Sequence, residues 1–218
     1  MINNTDDKIK NRATDQPLVS ICCITYNHAP YIRECLDGFL MQKTDFAYEI
    51  LIHDDVSTDG TQDIIKEYEL KYPEIIKPIY QTVNQYSQGI AISQNYLWPR
   101  AQGRYIATCE GDDYWISQDK LQKQVDILEE HPELSACSHL VGINRNGVVE
   151  SNIGSPNNIP TRISLIDLAY SVPFQTSSFI FRKDMLNIPS QYANSVASHF
   201  LFMLLAEQGD IYFMNKCM

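Results

Sequence analysis

With 218 residues, 44% of them hydrophobic, the chain has the size and apolar content of one ordinary domain with a full core. A formal charge of −10 excludes a nucleic-acid binder, whose backbone contacts need a basic face. No apolar run approaches the roughly 20 residues of a membrane span and no signal peptide opens the chain, so no integral membrane segment and a cytoplasmic location are expected.

Residues 1–16 are polar and unpatterned and read as a flexible N-terminal tail, leaving 17–218 as the folded domain. Leu18–Ile24 is a near-continuous apolar run, as expected for an inner parallel strand. Pro30 then suits the first turn of a helix over roughly 30–41, whose Ile32, Cys35, Leu36, Phe39 and Leu40 form one apolar stripe. Tyr48–Ile52 reads as a second strand, followed by a helix after Gly60 with Ile64, Ile65 and Tyr68 facing inward. Ile75–Tyr80 reads as a third strand, 90–101 as helical, Arg104–Cys109 as a fourth strand and Lys120–Glu130 as a helix stopped by His131-Pro132. Alternation at this spacing predicts a parallel sheet with right-handed crossovers.

After residue 134 the pattern changes, which divides the domain into a nucleotide-type half of about 17–134 and an irregular half of about 135–218 that completes a cleft. Asn146-Gly147 between apolar segments predicts a hairpin. Ile163–Tyr170 suggests a short helix, Ser177–Phe181 a strand, Phe200–Glu207 a helix and Ile211–Met214 a last strand. The six cysteines show no C-x-x-C spacing and read as buried free thiols, with Cys22 and Cys23 on opposite faces of one strand.

The chemistry lies where strands end. Arg104–Cys109 runs into Glu110-Gly111-Asp112-Asp113, three carboxylates within four residues, which repel one another unless a cation sits among them. An all-oxygen cluster suits Mg²⁺ or Mn²⁺, which one or two carboxylates hold together with substrate phosphates. A second acidic turn, His53-Asp54-Asp55-Val56-Ser57-Thr58-Asp59-Gly60, follows another apolar run. It fails as a calcium loop because Lys66 stands where a bidentate Glu is needed. Asp59 or Ser57 would cap the next helix, whereas Asp54 and Asp55 sit where a carboxylate can accept a uracil N–H or ribose hydroxyls. Two strands with carboxylate ends describe a ligand site at the C-terminal edge of an α/β sheet. Neither G-x-G-x-x-G nor a P-loop is present.

The run Val19–Asn27, then His53–Thr61, then Gly103–Asp113, resembles the inverting family-two glycosyltransferases, and within them the type that builds bacterial surface polysaccharides. The resemblance covers about 17–218 and implies a GT-A fold: a mostly parallel nucleotide-binding sheet flanked by helices, with a smaller acceptor-side half. It implies a nucleotide-sugar donor, expected to be a UDP-sugar, and a divalent cofactor, Mn²⁺ or Mg²⁺. Thr25, Tyr26 and Asn27 would lie at the nucleoside, with Asp54 and Asp55 at the base. Glu110 would be the first acidic position of the D-x-D-like element, Asp112 would lie near ribose or sugar, and Asp113 would bind the metal with Asp112.

Three departures from the family pattern stand out. Gln94 falls where many members carry a donor-contacting Arg. Ser198 falls where the family has its general base, an Asp; His199 beside it becomes the candidate base if its ring points into the cleft. The family's Tyr-Arg-Ile-His-like segment is absent, so truncation at the C-terminus is expected. The expected reaction is metal-dependent sugar transfer to a hydroxyl of a saccharide or lipid-linked acceptor, the latter bringing the chain to the inner face of the membrane. A catalytically impaired nucleotide-sugar binder is the alternative; a sugar-phosphate nucleotidyltransferase would need a Gly-rich basic loop that Thr25-Tyr26-Asn27-His28 does not supply.

Overall fold

A computed structural model describes residues 16–145, 148–151, 159–192, 194 and 198–218. The expected N-terminal tail, Gln16 apart, and the Asn146-Gly147 turn lie outside them. The first half alternates: β1 (Val19–Thr25), α1 (Ile32–Leu40), β2 (Tyr48–Asp54), α2 (Thr61–Lys71), β3 (Ile76–Tyr80), β4 (Tyr105–Glu110) and α3 (Lys120–Glu130). The second half holds β5 (Ala136–Leu140), β6 (Gly142–Arg145), β7 (Val148–Ser151), β8 (Arg162–Ile163), α4 (Leu165–Tyr170), β9 (Ile180–Arg182), α5 (Ser198–Gln208) and β10 (Ile211–Cys217).

Eight strands form one sheet in the order β3-β2-β1-β4-β9-β5-β10-β8, while β6 and β7 pair as a separate hairpin. Pairing is parallel from β3 through β4 and between β5 and β10. The α/β architecture and mostly parallel sheet are those expected. The correction is β9, which runs antiparallel between β4 and β5 and so joins the two halves in one sheet. Two apolar layers cover the faces, one around α1 and α3 and the other around Phe179, Phe181 and α5. Cys23 lies in the first and Cys22 in the second, as neighbours on a strand must; all six cysteines are free.

Three local expectations change. The stretch 90–101 is not a regular helix but a π-helical turn at Ser93–Leu97, closed by Trp98 N–H donating to Ser93 O at 2.8 Å. Pro99 has no N–H to donate, and its ring excludes the carbonyl four residues back. The expected strand Ser177–Phe181 begins as a 3₁₀ turn, Thr176–Ser178, and only Ile180–Arg182 pairs in the sheet. At α2 the N-cap is Gly60, at φ 100°, so neither Asp59 nor Ser57 occupies the cap; Asp59 instead accepts from the Thr61 N–H at 3.0 Å.

Arg182, buried at the end of β9, locks this union. Its Nε donates to Leu134 O at 2.9 Å, Nη1 to Tyr105 Oη at 3.1 Å, and Nη2 to Leu128 O in the last turn of α3. A guanidinium against the carbonyl end of a helix also meets the favourable end of its dipole. Arg182→Met keeps the apolar stem and strands two buried carbonyls. It should lower stability by roughly 2–4 kcal/mol, read as a fall in melting temperature of about 4–16 °C in thermal unfolding.

Candidate functional site

Parallel register sets the ends of β1, β2 and β4 side by side, Thr25 opposite Asp54 and Ile24 opposite Glu110. The loops after β1 and β2 are then stitched together by side chains. Consecutive N–H groups of Asn27, His28 and Ala29 donate to Ser57 Oγ, Thr61 Oγ1 and Asp59 Oδ2 at 2.8, 2.9 and 2.9 Å. In return Asn27 Oδ1 accepts from the Thr58 N–H at 2.8 Å. Asn27 and Val56 both sit in the left-handed region, at φ 56° and 69°. For a β-branched valine that is a strained conformation the surrounding bonds must hold. Burial pushes the Asp59 carboxyl up, but hydrogen bonds from Thr61 and from backbone N–H groups hold it below the usual carboxylate range.

Asp54 and Asp55 have separate roles. Asp54 is buried and turns its own loop, Oδ1 accepting from Ser57 N–H at 3.0 Å and Gln62 Nε2 at 2.6 Å. Asp55 accepts the N–H groups of Gln85 and Tyr86 at 2.7 and 3.0 Å, fastening the loop after β3 over the sheet edge. An open cavity of about 680 Å³ lies between these loops, lined among others by Thr25, Tyr26, His28, Asp55, Tyr86 and Asp112. Tyr26 and Tyr86 are 48% and 64% exposed, enough for an aromatic ligand to stack. Thr25 Oγ1 and His28 Nδ1 are buried without a hydrogen-bond partner. Both press on Gly111, where a Cβ would come within 2.8 Å of the first and 3.0 Å of the second. A side chain at position 111 would clash with both, so glycine is required there.

Glu110 lies at the junction of this cavity with a smaller recess of about 120 Å³, whose lining includes Gln94, Trp98, Thr176, Ser198 and Leu201. Burial raises the Glu110 pKa, and the charges of Asp113 and Asp112 raise it further, while Thr176 opposes them. Burial likewise raises Asp113; the Ser177 hydroxyl works against it and the Asp112 charge with it. Among the described residues, no Lys or Arg lines either cavity. Among the described residues no three His, Cys, Asp or Glu side chains converge as a metal cluster. Hard oxygen donors short of a full shell fit a Mg²⁺ or Mn²⁺ ion that completes its coordination on a ligand's phosphates.

The structure thus brings Thr25, Tyr26, Asp55, Glu110 and Asp112 to one cavity and Gln94, Glu110 and Ser198 to its neighbour. Asn27 and Asp54 shape the loops from behind. Asp113 lines neither cavity and faces Ser177. His199, the candidate base, is exposed and absent from the recess that Ser198 lines. The sequence reading missed His28, Tyr86 and Thr176. The first two stand in loops after strands, the position of ligand contacts in such sheets, but Thr176 carries no local signal.

The glycosyl transferase family 2 model matches residues 20–187, and the chain belongs to that family. An uncharacterized protein of Mycobacterium tuberculosis is 39% identical over 167 residues, 76% of this chain and 47% of that protein. The putative teichuronic acid biosynthesis glycosyltransferase TuaG of Bacillus subtilis is 41% identical over 115 residues, 53% of this chain and 43% of its own length. The chain therefore spans about half the length, or less, of these relatives. Staphylococcus aureus TarS, solved in complex with UDP-GlcNAc, superposes with a TM-score of 0.64 at 23% identity, over 91% of this chain and 58% of that one. The common fold is that of the GT-A glycosyltransferases. Among the described residues no helix is long and apolar enough to cross a membrane.

Asp55→Ala removes the acceptor of two loop N–H groups. Amide exchange at Gln85 and Tyr86 should accelerate by at least tenfold while β4 amides stay protected, with stability falling by roughly 1–3 kcal/mol.

Proposed function

We propose that this chain is the donor-binding catalytic domain of a glycosyltransferase. It would transfer a sugar from a nucleotide-sugar, a UDP-sugar by preference, to a hydroxyl of a saccharide or lipid-linked acceptor with inversion at the anomeric carbon. The observation that carries this reading is the meeting of the Glu110 and Asp112 carboxylates with a large open cavity bordered by Tyr26, Tyr86 and Asp55. Stacking on either tyrosine would hold a base. Spare lone pairs of Asp55 and the unpartnered Thr25 Oγ1 would receive its N–H or the ribose hydroxyls. With no Lys or Arg among the described residues that line the cavity, a diphosphate calls for another counter-charge. Asp112 and Asp113 would hold Mn²⁺ or Mg²⁺, which supplies Lewis-acid stabilisation of the leaving nucleotide. Glu110, shared by both cavities, would fix the sugar at their junction, and Gln94 would replace the family's Arg as a neutral contact. A lipid-linked acceptor would bring the chain to the cytoplasmic face of the membrane.

A second reading, a nucleotide-sugar binder impaired in transfer, is favoured by one observation: Ser198 lines the recess where the family's base is expected, and a serine hydroxyl cannot take the acceptor's proton unaided.

Thermal unfolding with UDP, GDP or ADP, each with and without Mn²⁺, tests the donor site. A ligand at about 100 times its Kd adds ~2.7 kcal/mol, which should raise the melting temperature by about 5–10 °C with UDP plus Mn²⁺. Asp113→Asn should abolish that shift. The absence of a shift with every nucleotide, in a chain that melts cooperatively, defeats the donor reading. Release of UDP from a UDP-sugar in the absence of acceptor separates the two readings: an intact centre leaks slow hydrolysis, and a pure binder releases none.

A further inference from the structure

The recess beside Glu110 is too small for a whole sugar and too large for a hydroxyl. It opens into the larger cavity, since Ile24, Tyr86, Ile92 and Glu110 line both. Its volume of about 120 Å³ would hold about four waters at roughly 30 Å³ each, room for a substituent of a few heavy atoms. Cys22, Ala91, Ile92 and Leu201, all buried, give it an apolar floor. Two polar groups stand against that floor. Trp98 is 8% exposed, and its Nε1–H is buried without a hydrogen-bond partner. Glu110 carries the only charge among the described residues that line the recess. Its carboxylate accepts a single, long hydrogen bond there, from Thr176 Oγ1 at 3.4 Å, and so keeps lone pairs to spare.

Whatever enters must therefore supply three things: an acceptor for an indole N–H, a donor for a carboxylate, and an apolar end for the floor. A hydroxyl cannot supply the third and leaves the floor against water. A carboxylate offers an acceptor, but it sets a second negative charge beside Glu110. No Lys, Arg or His among the described residues lines the recess to offset that charge. A secondary amide meets all three demands. Its C=O would accept from Trp98, its N–H would donate to Glu110, and its methyl would lie on Ala91 and Leu201. We propose that the recess receives the acetamido group of an N-acetylated sugar, which makes the donor a UDP-linked N-acetylhexosamine and Trp98 and Glu110 the residues that select it. The inference rests on the donor reading above and narrows it to one class of sugar. The hexose ring then stays at the junction, where Tyr86 and Ile92 border both cavities.

The test is equilibrium binding of UDP and of two sugar pairs, each with Mn²⁺: UDP-N-acetylglucosamine beside UDP-glucose, and UDP-N-acetylgalactosamine beside UDP-galactose. In at least one pair the acetamido sugar should bind about 10–50-fold tighter than its parent, from one buried methyl and the added hydrogen bonds. UDP-glucuronate should bind at least about tenfold more weakly than UDP-glucose, and Glu110→Gln should bring those two within about threefold of each other. Trp98→Phe removes the N–H and should cut the acetamido preference by about three- to tenfold. Each preference is a ratio measured on one variant, so a loss of stability common to both ligands cancels. The inference is overturned if neither acetamido sugar binds better than its parent, if UDP-glucuronate binds as well as UDP-glucose, or if Trp98→Phe keeps the full preference. A wild-type chain that does not bind UDP defeats the UDP-sugar reading itself and the inference with it, a result distinct from UDP binding without discrimination among the sugars.

Discussion

One buried carboxylate at the start of the sheet fixes what happens at its end. β1, β2 and β4 are buried on both faces, so alternation of apolar and polar residues gives little to define how they pair. Glu49 on β2 supplies the definition. Its Oε1 accepts from Ser20 Oγ on β1 at 2.7 Å and from the Gln102 N–H ahead of β4 at 2.8 Å, and its Oε2 accepts from Lys77 Nζ on β3 at 2.9 Å. Ser20 Oγ in turn accepts from the Gly103 N–H at 2.9 Å. A slip by one residue would leave a buried charge without these partners, a penalty of several kcal/mol that no apolar contact offsets. Register is the best-attested use of such a buried ionic group, and here it serves four strands at once.

Because that register holds, the opposite ends of the same strands can carry groups that would not otherwise stay together. Glu49 is fully partnered, whereas Glu110 and Asp113 are pushed up in pKa by burial and by neighbouring carboxylates. The Thr176–Ser178 turn offsets part of this with two hydroxyls. The rest calls for positive charge, and the described residues that line the cavities provide none from Lys or Arg. The two networks differ in how far each carboxylate's lone pairs are filled.

The alternating half of the chain was legible because its apolar runs have strand or helix length and end in turn chemistry. β1, β2, β4 and α3 fall within a residue or two of expectation. A strand was expected at 177–181, but the antiparallel place of β9 between β4 and β5 was not legible, since Ile180-Phe181-Arg182 is too short to show a period and is held by long-range bonds from Arg182. The π-helical turn was hidden for a similar reason: the five residues Ser93–Leu97 are too few to show a period, and only Pro99 marks the break. In the site, carboxylates announced themselves by clustering. Thr176 and Ser177 did not, because a hydroxyl matters only through what faces it, and Glu110 lies 66 positions earlier in the chain.

Ser198 bears on this division directly. The bonds that join the loops after β1, β2 and β3 run among residues 25–29, 54–62 and 84–86, and none of these lies on α5. The Glu110–Asp113 cluster is held by β4 and by the Thr176–Ser178 turn, also outside α5. A substitution at the first residue of that helix therefore leaves those loops intact while changing what lines the recess beside Glu110. Within that recess Gln94, Thr176 and Ser198 can orient a hydroxyl but not accept its proton at neutral pH, because none has a basic group. The loops around the larger cavity and the helix whose first residue lines the recess are thus separate elements of this fold, and one can change without the other.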